Sequence, residues 1–335
     1  MKKYSLIIFC AILSTSACSN QELTSSSFSY DSQSSHSYGE NAINLLSDTS
    51  FANGFRLLEP RDDGKRIEAK ILDYDGAAKG DYKWEMSQWA SPFNFKDADF
   101  SITDNGTYLY KNINRSVEVD TKNNAITLNL DSYAEYMERY GHSRTGSENW
   151  SHLLLEQNFE NPANIAAIKY AYAHLEFTIN KSENKDPTQP IPCAQLTWYF
   201  TITDVRNGDS RYQSGNDDND YMWFGLSIYD SRYPYLSESS HVDTGFNGAT
   251  NRLIYGMDSR NYLPENLVIG KEYVIDINIL PFIKNAYLFG IQNGALQDSN
   301  LGDLCINYMN IGWELPGSYD VSLTLKNMSV YTEEK

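Results

Sequence analysis

Between Ile67 and Val330 apolar residues return at every second position, and this period constrains what the chain can fold into. Leu196, Trp198, Phe200 and Ile202 alternate with Thr197, Tyr199, Thr201 and Thr203. A strand sends successive side chains to opposite faces, so one face of this segment is apolar and the other half-polar. From Tyr221 to Tyr229 the rule repeats. Met222, Phe224, Leu226 and Ile228 make a core surface, and Tyr221, Trp223, Gly225, Ser227 and Tyr229 lie opposite. Leu153, Leu155 and Phe159 oppose Trp150, His152, Leu154 and Glu156, and Ala171 to Ile179 opposes Tyr170, Tyr172, His174 and Glu176. Tyr273 to Ile279 alternates until Pro281 stops it.

Turn chemistry separates these runs. Asp104-Asn105-Gly106 predicts a hairpin joining 100–103 to 107–110, because Asn-Gly tolerates positive φ. Asn123-Asn124 predicts a second, between Val117–Val119 and Ile126–Leu130. Val321, Leu323 and Leu325 lie on odd positions but Met328 and Val330 on even ones, so a bulge is expected near Lys326-Asn327. Helix is expected over 132–140 alone, and residues 41–58 carry a weak signal. Strands spread evenly, without a composition break or internal repeat, predict one all-β domain over 41–335. Its class is an antiparallel two-sheet β-sandwich of jelly-roll or concanavalin A-like lectin type.

The first forty residues read differently. Lys2 and Lys3 precede an apolar run, Leu6 to Leu13, that is too short to span a bilayer. Thr15-Ser16-Ala17-Cys18 resembles a bacterial lipobox, with Thr15 where leucine is usual. That resemblance implies a signal peptide over 1–18, lipidation of Cys18 and export to the outer membrane, facing the periplasm or the cell surface. Residues 19–40 are Ser-rich without Lys or Arg, as a flexible tether would be. The formal net charge of -17 repels phosphate backbones and argues against a nucleic-acid partner. Cys193 and Cys305 can either pair outside the cytoplasm or stay as buried thiols.

The chain holds 25 Tyr, 14 Phe and 6 Trp, more aromatic surface than a core alone needs. Flat aromatics beside small residues suit a sugar ring, whose CH face stacks while its hydroxyls seek polar groups. Trp150, His152, Glu156, Tyr199, Tyr221, Trp223 and Tyr229 are therefore candidate ligand-binding residues, with Asp230 and Arg232 at a strand end to meet hydroxyls or a sugar carboxylate. The expected partner is a polysaccharide or oligosaccharide. Cleavage on the same face is an alternative. A hydrolase would pair Glu156 with Glu314 or Asp230, and a lyase would use Arg232, His152 and Tyr229 or Tyr233. A third reading is a structural or adhesive protein whose aromatics lie in an interface. No cofactor is required, although Asn216 to Asp220 offers oxygen ligands that calcium could use.

Taken in order, Trp150 to Gln157, Trp223 to Arg232 and Gly312-Trp313-Glu314-Leu315-Pro316-Gly317 resemble jelly-roll surface lipoproteins associated with glycan-utilisation systems. The resemblance covers about residues 60 to 331 and implies glycan binding or processing at the cell surface. It attaches to no set of catalytic residues, so no role is carried over.

Overall fold

Two faces of alternating residues, one from each sheet, close on each other. The computed structural model describes residues 38–205, 220–244, 249–263 and 266–335. In chain order the elements are β1 (Ile43–Asn44), β2 (Phe55–Leu58), β3 (Glu68–Leu72), β4 (Trp84–Ser87), β5 (Asp99–Ile102), β6 (Tyr108–Lys111), β7 (Arg115–Asp120), β8 (Ala125–Asp131) and helix α1 (Ser132–Tyr140). They continue as β9 (Ser151–Asn164), β10 (Ile168–Asn184), β11 (Gln195–Asp204), β12 (Tyr221–Asp230), β13 (Ser239–Val242), β14 (Leu253–Met257), β15 (Glu272–Asn278), helix α2 (Leu280–Gln292), β16 (Leu304–Leu315) and β17 (Tyr319–Glu334).

An eight-stranded sheet runs β15-β10-β17-β8-β7-β6-β5, with β1 paired to β17. A nine-stranded sheet runs β13-β14-β12-β11-β16-β9-β4-β2-β3. Leu153, Leu155, Trp198, Phe200, Phe224, Leu226, Ile311 and Trp313 of the nine-stranded sheet share one core with Ala173, Leu175, Phe177, Leu323 and Leu325 of the other. The fold is the expected β-sandwich. Its pairing is not wholly antiparallel, since β2 with β4 and β12 with β14 run parallel.

Local chemistry explains the element ends. Gly106 and Asn124 take positive φ at the two expected hairpins. Asp131 accepts from the Ala134 amide and caps α1, and Gly141 ends it in the left-handed region. The predicted bulge is present: Asn327 and Met328 oppose one residue of β10, and Asn327 has φ 49°. The second helix departs from expectation. Pro281 does not merely end a strand; it sits in the first turn of α2, where its missing N–H costs nothing. Leu280, Ile283, Ala286 and Gly290 then bury one helical face.

Cys193 and Cys305 are free, buried thiols. Cys305 pairs in register with Thr203 at one end of β11, while Cys193 precedes the other end. The separation is on the order of 30 Å along the strand, far beyond the ~7 Å a disulfide tolerates. At the N-terminal end of the described chain, Tyr38 stacks on Tyr331 with centroids 4.1 Å apart, and the Gly39 amide donates to the Tyr170 hydroxyl. The chain therefore joins the sandwich on the outer face of the eight-stranded sheet.

The alternation of β12 makes a direct prediction. Phe224→Ala should cost ~3–5 kcal/mol in a denaturant titration, and Trp223→Ala less, although tryptophan is the larger side chain. The reverse order would mean that β12 is placed inside out.

Candidate functional site

The outward face of the nine-stranded sheet is polar and aromatic, and strand register arranges it in rows. One row crosses Gly256, Gly225, Tyr199, Asn310, Glu156, Glu85 and Arg56. Toward one end lie Trp223, Thr201 and Tyr308; toward the other, Asp230, Gln195, Glu314 and His152. Six residues of β16 separate Tyr308 from Glu314, so the face extends roughly 20 Å along the strands.

Trp223 is the hub of the aromatic end. Its ring meets Tyr199, Tyr221 and Tyr308 edge to face, at 6.0, 5.9 and 5.9 Å. The hollow expected at Gly225 is filled from the neighbouring strand: a Cβ there would lie 2.5 Å from Cε1 of Tyr199, so that ring lies over the glycine backbone. Glycine at 312 has a different cause. A Cβ there would approach Leu153 O to 2.3 Å, so only glycine allows β16 and β9 to meet so closely.

The middle of the face is ionic. Arg66, from the connection between β2 and β3, pairs with both Glu156 and Glu85, and Glu85 also forms an ion pair with Arg56 at 3.0 Å. Glu156 is fully buried. The guanidinium of Arg66 stands 5.9 Å from the Tyr308 ring centroid. Although Glu85 and Glu156 are register partners, the arginines that bind them leave neither as an acid–base pair.

At the far end, Nδ1 of His152 lies 2.8 Å from the Trp89 carbonyl, an acceptor, so the proton belongs on Nδ1 and Nε2 is left as the basic nitrogen. The ring is flanked by Trp89 and Trp150 at 5.9 and 6.1 Å. Burial brings His152 down to about 4, and the charge of Arg115 adds to this. Arg115 is itself paired with Glu135 of α1 and donates to the His152 carbonyl at 3.2 Å. Burial pushes Glu314, the register partner of His152, up to about 7, with the charge of Asp243 contributing. Near neutral pH this face therefore presents a carboxyl poised between its two forms.

The sequence candidates divide accordingly. Trp150, His152, Glu156, Tyr199, Tyr221 and Trp223 share this outward face, joined by β16, whose own outward residues the sequence reading passed over apart from Glu314. Tyr229 does not join them. A register shift between Leu196 and Thr197 turns it inward, where its hydroxyl donates to Ser182 of the opposite sheet and its ring meets Trp313. The same shift brings Asp230 into the row of Glu314, two strand spacings or about 10 Å away. Asp230 accepts two bonds from the Arg232 guanidinium and one from Gln195, so Arg232 does not stand free to meet a sugar carboxylate. Tyr170, Tyr172, His174 and Glu176 belong to β10 and lie on the outer face of the other sheet. Of the acidic run proposed for calcium, 216–219 lies outside the described residues and Asp220 pairs with Arg252. Among the described residues no group of three or more His, Cys, Asp or Glu could hold a metal ion.

The raised Glu314 has a signed consequence. The native state binds its proton more tightly than the unfolded chain, so stability falls as pH rises from about 4.5 toward 7 and stays lower above. His152 acts oppositely, adding stability as pH rises from about 4 toward 6.5. Glu314→Gln should therefore stabilise the protein at pH ~8 by on the order of 2 kcal/mol, with the gain vanishing below pH ~4. Thermal or urea unfolding across pH measures this, and a gain largest in acid would contradict it.

No protein-family model matches the chain, and no curated protein matches it. Its fold is distantly similar to solved β-sandwiches. Endoglucanase cel12A from Rhodothermus marinus aligns at 10% identity over 71% of this chain and 97% of its own, with TM-score 0.38. The native family 12 xyloglucanase from Bacillus licheniformis aligns at 8% identity over 70% of this chain and 97% of its own, with TM-score 0.41. The family 11 xylanase from Neocallimastix patriciarum aligns at 8% over 70% and 95%, with TM-score 0.34. These likenesses transfer no residue and no role to this chain.

Proposed function

We propose that this protein binds a neutral polysaccharide along the outward face of the nine-stranded sheet. The observation that carries the reading is the row-by-row make-up of that face. Exposed Trp150 and half-buried Trp89, Tyr199, Tyr221 and Trp223 stand along it, with amides, hydroxyls and carboxyls between them. Apolar ring faces interleaved with hydrogen-bonding groups match a sugar chain, which alternates the same two chemistries. Charge argues for a neutral chain. Arg56, Arg66, Arg232 and Arg252 are each paired with a carboxylate, and the molecule as a whole is strongly acidic.

In this reading the protein is a lipoprotein held through Cys18, with residues 19–37 as part of the tether. Because Tyr38 joins the outer face of the eight-stranded sheet, a flexible tether attached there leaves the sugar-binding face of the other sheet unobstructed. This arrangement suits a protein of the outer membrane that meets polymer in solution.

A second reading, cleavage, is favoured by one group. Glu314 sits near neutrality in the row that also holds Asp230, and a carboxyl able to donate a proton at pH ~7 is what a glycosidase requires of its acid. In that case Glu314→Gln would abolish product formation and leave binding intact.

The binding reading is tested by calorimetry with a panel of neutral and uronic-acid oligosaccharides. Trp223→Ala should weaken binding of a neutral ligand by ~1–2 kcal/mol with the fold intact. Unchanged affinity in that variant, or binding restricted to uronic-acid ligands, would overturn it.

A further inference from the structure

Arg66 lies over a part of this face whose hydrogen bonding is unfinished. Both polar atoms of the Asn310 amide are buried without a hydrogen-bond partner. So are Oε1 of Glu156, directly opposite in register, Oγ of Ser87 on β4 and Nδ2 of Asn307 on β16. Burial raises the Tyr308 phenol, the charge of Glu156 adds to this, and the hydroxyl lies near enough to Asn310 and Glu156 to interact with both. Buried polar groups are nearly always paired, because an orphan loses its water and gains nothing in return. A cluster on one face of one sheet marks a place built for a partner.

The orphans also state the partner's chemistry. Asn310 offers a donor and an acceptor, Glu156 an acceptor, Asn307 a donor, and Ser87 either role. A phosphate, which only accepts, or an ammonium, which only donates, would satisfy part of this set. A vicinal diol donates and accepts at each hydroxyl and can satisfy neighbouring members together, Asn310 and Glu156 above all.

We propose that Glu156, Asn310 and Ser87 floor a saccharide-hydroxyl subsite, and that the Arg66 side chain is its displaceable cover; this deepens the polysaccharide-binding reading and rests on it. Arg66 reaches in from a connection whose preceding residues, Asp62, Asp63, Gly64 and Lys65, are exposed. Its withdrawal moves one side chain and no core element. Glu85 keeps Arg56 when Arg66 leaves. The uncovered Glu156 carboxylate then accepts charge-assisted bonds from sugar hydroxyls in place of the guanidinium.

The test measures calorimetric binding of cellotetraose, xylotetraose and mannotetraose to the wild-type protein and to Asn310→Ala, Arg66→Met and Trp223→Ala, with urea stability of each. Asn310→Ala should weaken binding about tenfold without lowering stability, since a buried orphan amide has lost its water and does not hold the native state together. Arg66→Met, where it folds, should tighten binding severalfold by removing the competitor for Glu156. Asn310→Ala that binds as wild type while Trp223→Ala binds weakly would overturn the subsite and spare the platform. Loss of stability in Asn310→Ala with binding unchanged would make Asn310 a structural residue. Absence of wild-type binding to all three probes would remove the polysaccharide reading and the subsite together.

Discussion

The ion pair between Arg66 and Glu156 is the interaction on which the outward face of the nine-stranded sheet depends. Glu156 has no exposure to water, and a carboxylate so placed needs a cation or strong hydrogen-bond donors beside it. Arg66 supplies the cation while also serving Glu85, which is steadied by Arg56. With that charge balanced, β16 can carry a polar row through the middle of a sheet whose other side is solid core. Most β-sandwiches bury one face of each sheet and wet the other. Here β11 and β16 are almost buried on both faces, and the second is built from amides, hydroxyls and tyrosines.

Support for the outward face comes from several elements. The buried pair of Arg115 and Glu135 lies behind the strand that presents His152. Arg115 holds the His152 carbonyl, Ser151 donates to Glu135, and Gln88 bonds the Leu58 carbonyl and lies 3.1 Å from an Arg115 nitrogen. Helix α1, β7 and β4 thus fix the position of Trp89 and His152 at one end of the face. At the other end the edge-to-face cluster around Trp223 does the same without a charge. Between them, Gly312 allows the strands to approach closely. The result is a surface roughly 20 Å long with rigid ends and an ionic centre that one side chain covers.

Much of this was legible in the sequence because alternation is local. The inward residues of β9, β10, β11, β12 and β17 follow from period two alone, and the bulge at Asn327 from the phase of Val321 to Val330. Neighbourhood is not local. The segment around Tyr172 and His174 reads like the one around Trp150 and His152, yet the two strands lie in different sheets. Tyr229 was misplaced because its inward turn arises from a register shift against β11, which no reading of β12 by itself contains. Two signals were present and unread. Tyr308, Asn310, Gly312 and Glu314 alternate cleanly with Met309, Ile311, Trp313 and Leu315, and Leu280, Ile283, Ala286 and Gly290 carry a helical spacing behind Pro281.

The central claim, that a saccharide lies on the outward face of the nine-stranded sheet, divides the six tryptophans into two groups. Trp84, Trp198 and Trp313 are fully buried in the core, whereas Trp89, Trp150 and Trp223 stand on or beside that face. The direct measurement is the indole N–H spectrum of ¹⁵N-labelled protein titrated with a neutral oligosaccharide that binds it. Saturable shifts in Trp89, Trp150 and Trp223, with the three core indoles unmoved, are the predicted result. Saturable binding that leaves all three outward indoles unmoved would place the ligand elsewhere and contradict the account.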